Sequence, residues 1–297
     1  MSVTVPSVST ALLSEDIARD RSLSWTGLLW PFFMIVAFFG VPFFLLLRVS
    51  FARRDLAFYQ GSGWTTDAYA GLIEPVVLHG LTFSIVLALT VATISILIAF
   101  PATYFIAGMR RKTQIAWLIG FLTTLALSEV LITFAWQIIL SKRVGISNIA
   151  VFLGLLDRPV SLTPSFAGVV GCLVYVVIPF NVMTIYPGLS RMDRSYIEAA
   201  STLGAKPYQA FFNILLPLMR RPIATAYLTS VVVTIGAYVA PLVLGGPANW
   251  TIGVIIGEVA VSAQNLPQAA AIAVLLMAVT GALILMIGRI GGKGYTS

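Results

Sequence analysis

Apolar residues in this chain neither alternate nor recur as a narrow stripe; they come in long blocks separated by polar turns. Six blocks stand out, at 28–47, 76–106, 115–140, 166–189, 223–245 and 269–288. Each is close to or above the roughly 20 residues an α-helix needs to cross a bilayer. The first carries no charge, the second none from Leu81 to Ile106, and the third is interrupted by Glu129. Backbone polar groups in lipid must be paired within their own segment, and no alternating pattern suggests a barrel. The expected fold is therefore an all-α membrane protein with six transmembrane helices. Pro31, Pro42, Pro101, Pro179, Pro187 and Pro241 fall inside or at the ends of these blocks, and each predicts a kink or a helix end, since proline lacks the amide hydrogen. A shorter apolar stretch, 251–263, contains Glu258 and reads as an interfacial or re-entrant helix. Its Gly253 and Gly257 permit close helix contact.

Composition sharpens this picture. Of the 297 residues 59% are hydrophobic and only 10% charged, with a mean hydropathy of +0.96. A soluble domain carries about 25% charged residues, so a soluble enzyme, a disordered chain and a nucleic-acid-binding domain are excluded. The net charge of +7 finds its explanation in topology rather than in a polyanionic partner. With both termini in the cytoplasm, twelve Lys and Arg residues fall inside and six outside, as the positive-inside rule requires. Residues 1–24 hold Glu15, Asp16 and Asp20 and no apolar signal core, so they are expected to be a cytoplasmic tail. Residues 25–290 form the membrane domain and 291–297 a second tail.

Several chemistries have no residues to carry them. Cys172 and His79 are each the sole residue of their type, which excludes an intrachain disulfide and a Cys/His metal site. Cys172 lies in an apolar run and reads as a small hydrophobe. No G-x-x-x-x-G-K-[ST] phosphate loop, G-x-S-x-G or H-E-x-x-H occurs; the glycines at 291–294 lie in a tail, with no preceding strand. The chain has no standard site for ATP hydrolysis, so energy must come from a partner or an ion gradient.

The most informative segment is 191–222, between the fourth and fifth blocks. Asp193 can cap a helix starting near residue 194. Glu198-Ala199-Ala200 is strongly helix-forming, and its two alanines leave a low surface that another protein can approach. Gly204 suits the left-handed residue that ends a helix, and Pro207 the first turn of the next. That second helix carries Phe211, Phe212, Ile214 and Leu215, with Pro217 interrupting it. Glu198-Ala199-Ala200, Gly204, Ile214 and Leu216-Pro217 occupy seven fixed positions over 20 residues.

This pattern resembles the EAA loop of the permease subunits of bacterial ABC importers, which have a type I permease architecture. The resemblance implies that the first helix of the loop docks, through Glu198, Ala199, Ala200 and Gly204, in a cleft on an ATP-binding subunit. ATP and Mg would then sit on a dimer of that partner and no cofactor on this chain. It also implies a second permease subunit, a separate chain, and a periplasmic or extracellular substrate-binding protein, in the bacterial inner membrane. The segment Trp64 to Ala70, Ile178-Pro179-Phe180 and the run Pro241 to Pro247 are similar to the spermidine/putrescine branch. They are shared in part with permeases for opines, phosphonates, ferric iron and thiamine, so a small cationic or zwitterionic solute, with polyamine first, is the implied substrate.

The residues give this one independent support. Glu129 lies near the middle of the third block, and a carboxylate at that depth normally faces a partner or a water-filled path. Trp136, Tyr175 and Tyr238 can add cation–π contacts to such a path, and Glu258 stands near an outer constriction. For each, packing or an interface with the second permease is the competing reading. An ion-coupled secondary transporter would need more coupling residues and an inverted repeat.

Overall fold

The computed structural model describes residues 30–53, 63–143, 145–154, 156–193 and 195–292. The expected tail at 1–24, residues 293–297 of the tail expected at 291–297, and the cations Arg54 and Arg194 lie outside the described residues, while Gly291 and Gly292 still belong to the last helix.

Helices make up the described chain, with one isolated antiparallel bridge between Ala52 and Trp64. Among the described residues four helices are long and apolar enough to cross a membrane alone: α1, Trp30–Ser50; α2, Pro75–Gly108; the helix Phe166–Ser190; and Leu266–Arg289. They occupy the first, second, fourth and sixth apolar blocks. At 34 residues α2 runs about 51 Å, well beyond a hydrocarbon core of about 30 Å. Pro75 opens it at a first-turn position, where a missing amide hydrogen costs nothing.

The third and fifth blocks, each expected as one span, are discontinuous near the Glu129 interruption and the Pro241 break that the sequence marks. The third divides into α3, Arg111–Ala126, and α4, Glu129–Ile139, bent by 94° across residues 127 and 128. Glu129 thus opens the second half rather than sitting inside one long helix. After a short helix α5, Ile146–Phe152, the chain enters α6, Phe166–Ser190, whose start is capped by Ser165 Oγ accepting from Gly168 N at 3.1 Å. The loop that follows holds α7, Ser195–Thr202, and α8, spanning 207–218. The fifth block supplies α9, Arg220–Ile235, which stops at Gly236 and resumes as a π turn at Pro241–Gly245. Its 16 residues reach only about 24 Å. A short helix α10, Ile252–Ser262, and α11, Leu266–Gly292, complete the chain.

The prolines act by position. Pro101, Pro179 and Pro187 lie inside continuous helices. Pro42 and Pro217 each follow a π turn, at Val36–Gly40 and Phe211–Leu215. A proline ring clashes with the carbonyl four residues earlier in a regular helix, and a wider turn relieves that clash.

Helices α2, α6 and α9 pack on one another as the centre of the bundle. Their apolar contacts fall into two layers, one around Leu87, Val91, Val169 and Leu173, the other around Phe100, Ile185, Leu189 and Ala226. A fully buried polar bridge joins the three helices. Asn181 Nδ2 donates to Ser95 Oγ at 2.9 Å, and Ser230 Oγ donates to Asn181 Oδ1 at 2.8 Å. Hydrogen bonds of this kind between membrane helices contribute about 0.6–2 kcal/mol each. α11 packs against α9, α10 and α1, and α1 buries no side chain before Ser50.

Candidate functional site

The loop between α6 and α9 is built from local signals. Asp193 Oδ1 accepts the Ser195 amide hydrogen at 2.9 Å and caps α7. Hydrogen bonds from the Ser195 backbone and side chain hold the exposed Asp193 carboxyl below its ordinary pKa. At the other end Gly204 takes φ +82°, Ala205 N donates to Ala200 O and Gly204 N donates to Ser201 O, both at 3.0 Å. These are the two bonds of a Schellman closure, which satisfies carbonyls the helix leaves open. Pro207 then starts α8, and Lys206 N–H donates to Gln209 Oε1 at 2.8 Å. α8 runs through its π turn and past Pro217 to Leu218, so the proline is passed rather than ending the helix.

The face this loop presents differs from a flat alanine pair. Glu198 and Ala199 are exposed, but Ala200 is turned inward and only 7% exposed. The outward surface is completed by Leu203, at 88% exposure beside Gly204, and by Tyr196, Tyr208 and Phe212. The sequence places Phe211, Phe212 and Leu215 on the second helix without assigning them a face, and reading it for motifs passes over Tyr196, Leu203, Tyr208 and Met219. Phe211, Leu215 and Met219 fall at i, i+4 and i+8, a helical spacing readable from the chain. Leu215 and Met219 are buried against Phe100, Ile185 and Leu189.

The membrane candidates form two groups rather than one. Trp136 of α4 and Tyr175 of α6 stand with ring centroids 6.4 Å apart. Gly171 lets the Trp136 ring approach, since a Cβ there would lie 3.0 Å from it. One turn earlier on α4, Thr133 Oγ1 touches Cys172 Sγ at 3.8 Å, so the thiol is buried packing as expected. Glu129 lies four residues before Thr133, exposed, and without a hydrogen-bond or ion-pair partner among the described residues.

The second group is Tyr238 and Glu258. Tyr238 lies over Gly257, where a Cβ would be 2.8 Å from its ring, and Glu258 follows on the exposed side of α10. α10 is fixed from a distance. Ile252 N–H at its start donates to the fully buried Ser84 Oγ of α2 at 2.8 Å, and Thr251 Oγ1 donates to Ala237 O at 2.7 Å. Gly253 packs against the Gly236 and Ala237 carbonyls. Trp136 and Ala237, the neighbour of Tyr238, belong to one apolar cluster. Among the described residues no cluster of His, Cys, Asp or Glu could hold a metal ion.

Residues 33–290 match the family of binding-protein-dependent transport system inner membrane components. The chain belongs to this family. As a permease of that class it is 28% identical over 256 residues to the spermidine/putrescine transport system permease protein PotB of Salmonella typhimurium (strain SL1344), covering 86% of this chain and 89% of that one. Its fold is that of a bacterial ABC transporter that imports the acidic polysaccharide alginate, with a TM-score of 0.70, 18% identity and coverage of 96% and 99%. The alginate transporter in complex with a pentasaccharide-bound periplasmic protein superposes at a TM-score of 0.68 and 20% identity, covering 95% of this permease and 99% of that chain. The all-α type I permease architecture is therefore established, and the molecule is a transmembrane subunit of an importer in the inner membrane.

Proposed function

We propose that this permease moves a polyamine such as spermidine or putrescine across the inner membrane, driven by a separate ATP-binding subunit that docks on α7. The observation that carries the substrate reading is the similarity to a spermidine/putrescine permease over 86% of the chain. Glu129 supports it, as a carboxylate without a partner among the described residues at the break of a membrane-crossing pair, where a cationic amine would be its counter-charge. Trp136, Tyr175 and Tyr238 offer ring faces to the same ammonium groups.

Docking is supported by the exposed face of α7 and α8. Leu203, Tyr196 and Tyr208 stand in water beside Glu198, an arrangement that gains by entering an apolar groove on another protein. In this reading the loop faces the cytoplasm with both termini, ATP and Mg bind the partner, a different permease chain completes the pathway, and a periplasmic binding protein delivers substrate on the opposite face. The test is uptake of labelled spermidine into liposomes holding the purified complex, with ATP inside and the cognate binding protein outside. Accumulation that needs both is expected; uptake of other solutes only would overturn the polyamine assignment. Cysteines at Lys206 and Asp67 should label from opposite sides, and reaction of Lys206 from the binding-protein side would overturn the orientation.

A further inference from the structure

A displacement of α7 can reach the membrane helices by direct packing or through α8, and the two routes are built very differently. Direct packing is poor. A cavity of about 440 Å³ lies between α7 and the end of α2, lined by Tyr104, Gly108, Leu189, Met192, Ile197 and Glu198. A second, of about 320 Å³, lies on the other side of Ile197 and is lined by Tyr104, Ser201, Ala205, Phe211 and Leu215. Both are clefts open to the surface, and across them α7 has little packing on α2; it packs instead on α8.

The route through α8 is continuous. The Phe211 ring lies 5.5 Å from Phe100 and 6.1 Å from Tyr104, both on α2, and 5.2 Å from Phe212. Beyond it Leu215 and Met219 are buried at 1% and 2% exposure. The corner into α9 is tight against α6, where a Cβ on Gly188 would lie 2.8 Å from both Met219 and Pro222. Phe211 also opens the π turn, with Leu216 N–H donating to Phe211 O. Such turns put the flanking helix out of register and recur at working positions.

We propose that Phe211 is a positioning residue that carries the motion of α7 into α2, with Tyr104 as its receiving partner. This rests on the reading of α7 as the element that docks the ATP-binding subunit. In this role Phe211 acts by holding the rings of α8 and α2 in contact. The cavities beside Ile197 give α7 room to move without unpacking the bundle.

The experiment uses the reconstituted complex and reads three quantities: ATPase subunit copurified, basal ATP hydrolysis, and solute imported per ATP hydrolysed. Phe211→Ala should leave the first two near the native level and lower the third by about tenfold, within the range known for residues that carry coupling. Phe211→Tyr, which keeps the ring, should restore it. Tyr104→Leu should lower the same ratio, and the double variant should lose no more than either single one, since partners in one contact are not additive. An unchanged ratio in Phe211→Ala, full additivity with Tyr104→Leu, or loss of the copurified ATPase in Phe211→Ala would each overturn the proposal. Copurification and uptake unaffected by Glu198→Lys would instead overturn the docking role of α7.

Discussion

Two short helices flank the fifth span, α7 before it and α10 after it, and they are held in opposite ways. α7 is closed by its own neighbours, Asp193 at the start and Gly204 at the end, and leaves most of its surface open. α10 is closed by residues far along the chain, Ser84 and Ala237, and packs Ile252 and Ile255 against Val77 and Ile272. A helix that its own chain covers needs no partner to become well packed. One that caps its ends but exposes Leu203 at 88% is shaped for a surface that another molecule supplies. The loop is thus specified in shape and left incomplete in burial, whereas the first half of α10, Ile252 to Ile255, is specified in both and only its far end, with Val261 at 77%, is exposed.

The sharpest way to break this contrast is to spoil the shape of α7 without touching its packing. A Cβ on Gly204 meets nothing within 4 Å, so its only requirement is the left-handed φ of +82°. Valine there costs about 1–2 kcal/mol or more, because a β-branched residue rarely adopts that region. Gly204→Val should leave the permease in the membrane, weaken ATPase copurification and abolish uptake. Glu198→Lys should do the same by charge reversal, while Gly204→Asn, which tolerates that backbone, should retain most uptake. Full uptake by Gly204→Val and Glu198→Lys would remove α7 from coupling.

The same contrast explains what the sequence could disclose. Asp193, Gly204 and Pro207 act within a turn of the residues they serve, so α7 and the start of α8 were legible with their boundaries. The six apolar blocks were legible as positions but not as unbroken helices. Ser128 and Glu129 interrupt the third run where the chain bends, but hydropathy gives no sign that the interruption is a 94° turn. Gly236 ends α9 inside a run that continues through Pro241 to Gly245. Ser84 and Asn181 were invisible for a different reason: their partners Ile252 and Ser95 are 168 and 86 residues away. Small polar residues in a membrane helix look like tolerated exceptions until the helix they meet is known. Ala200 shows the reverse limit, since its motif position gave no sign that it turns inward while Ala199 faces out.

A second test concerns the broken third span. Glu129→Gln removes the charge and keeps the shape. If the carboxylate meets a cationic solute, uptake should fall on the order of tenfold or more, as when one member of a shielded charge pair is lost. ATPase copurification and solute-independent ATP hydrolysis should be unchanged. Loss of assembly would assign Glu129 to the contact with the second permease, and an unchanged uptake would remove it from the pathway.

The smallest expected effect tests α10 itself. Ser84 is fully buried, and its Oγ both donates to Gly80 O and accepts the first amide hydrogen of α10. Ser84→Ala removes the acceptor and leaves the Ile252 N–H unpaired in an apolar surrounding. Losing a helix cap costs about 0.5–2 kcal/mol, and stranding a buried donor about 1–3 kcal/mol. The midpoint of thermal unfolding in detergent should drop by roughly 2–4 °C per kcal/mol for a domain of this size. The matched change at the other helix is Asp193→Ala, which removes the cap of α7 at a fully exposed site. There water replaces the lost acceptor, and the helix carries little of the buried surface, so the midpoint should hold while ATPase copurification falls. Amide exchange separates the two further: Ser84→Ala should speed it across Ile252–Ser262, in a segment that Asp193→Ala leaves protected. A drop in midpoint from Asp193→Ala as large as that from Ser84→Ala would show that α7 is packed into the fold as firmly as α10, and the distinction between a finished helix and one awaiting its partner would fall.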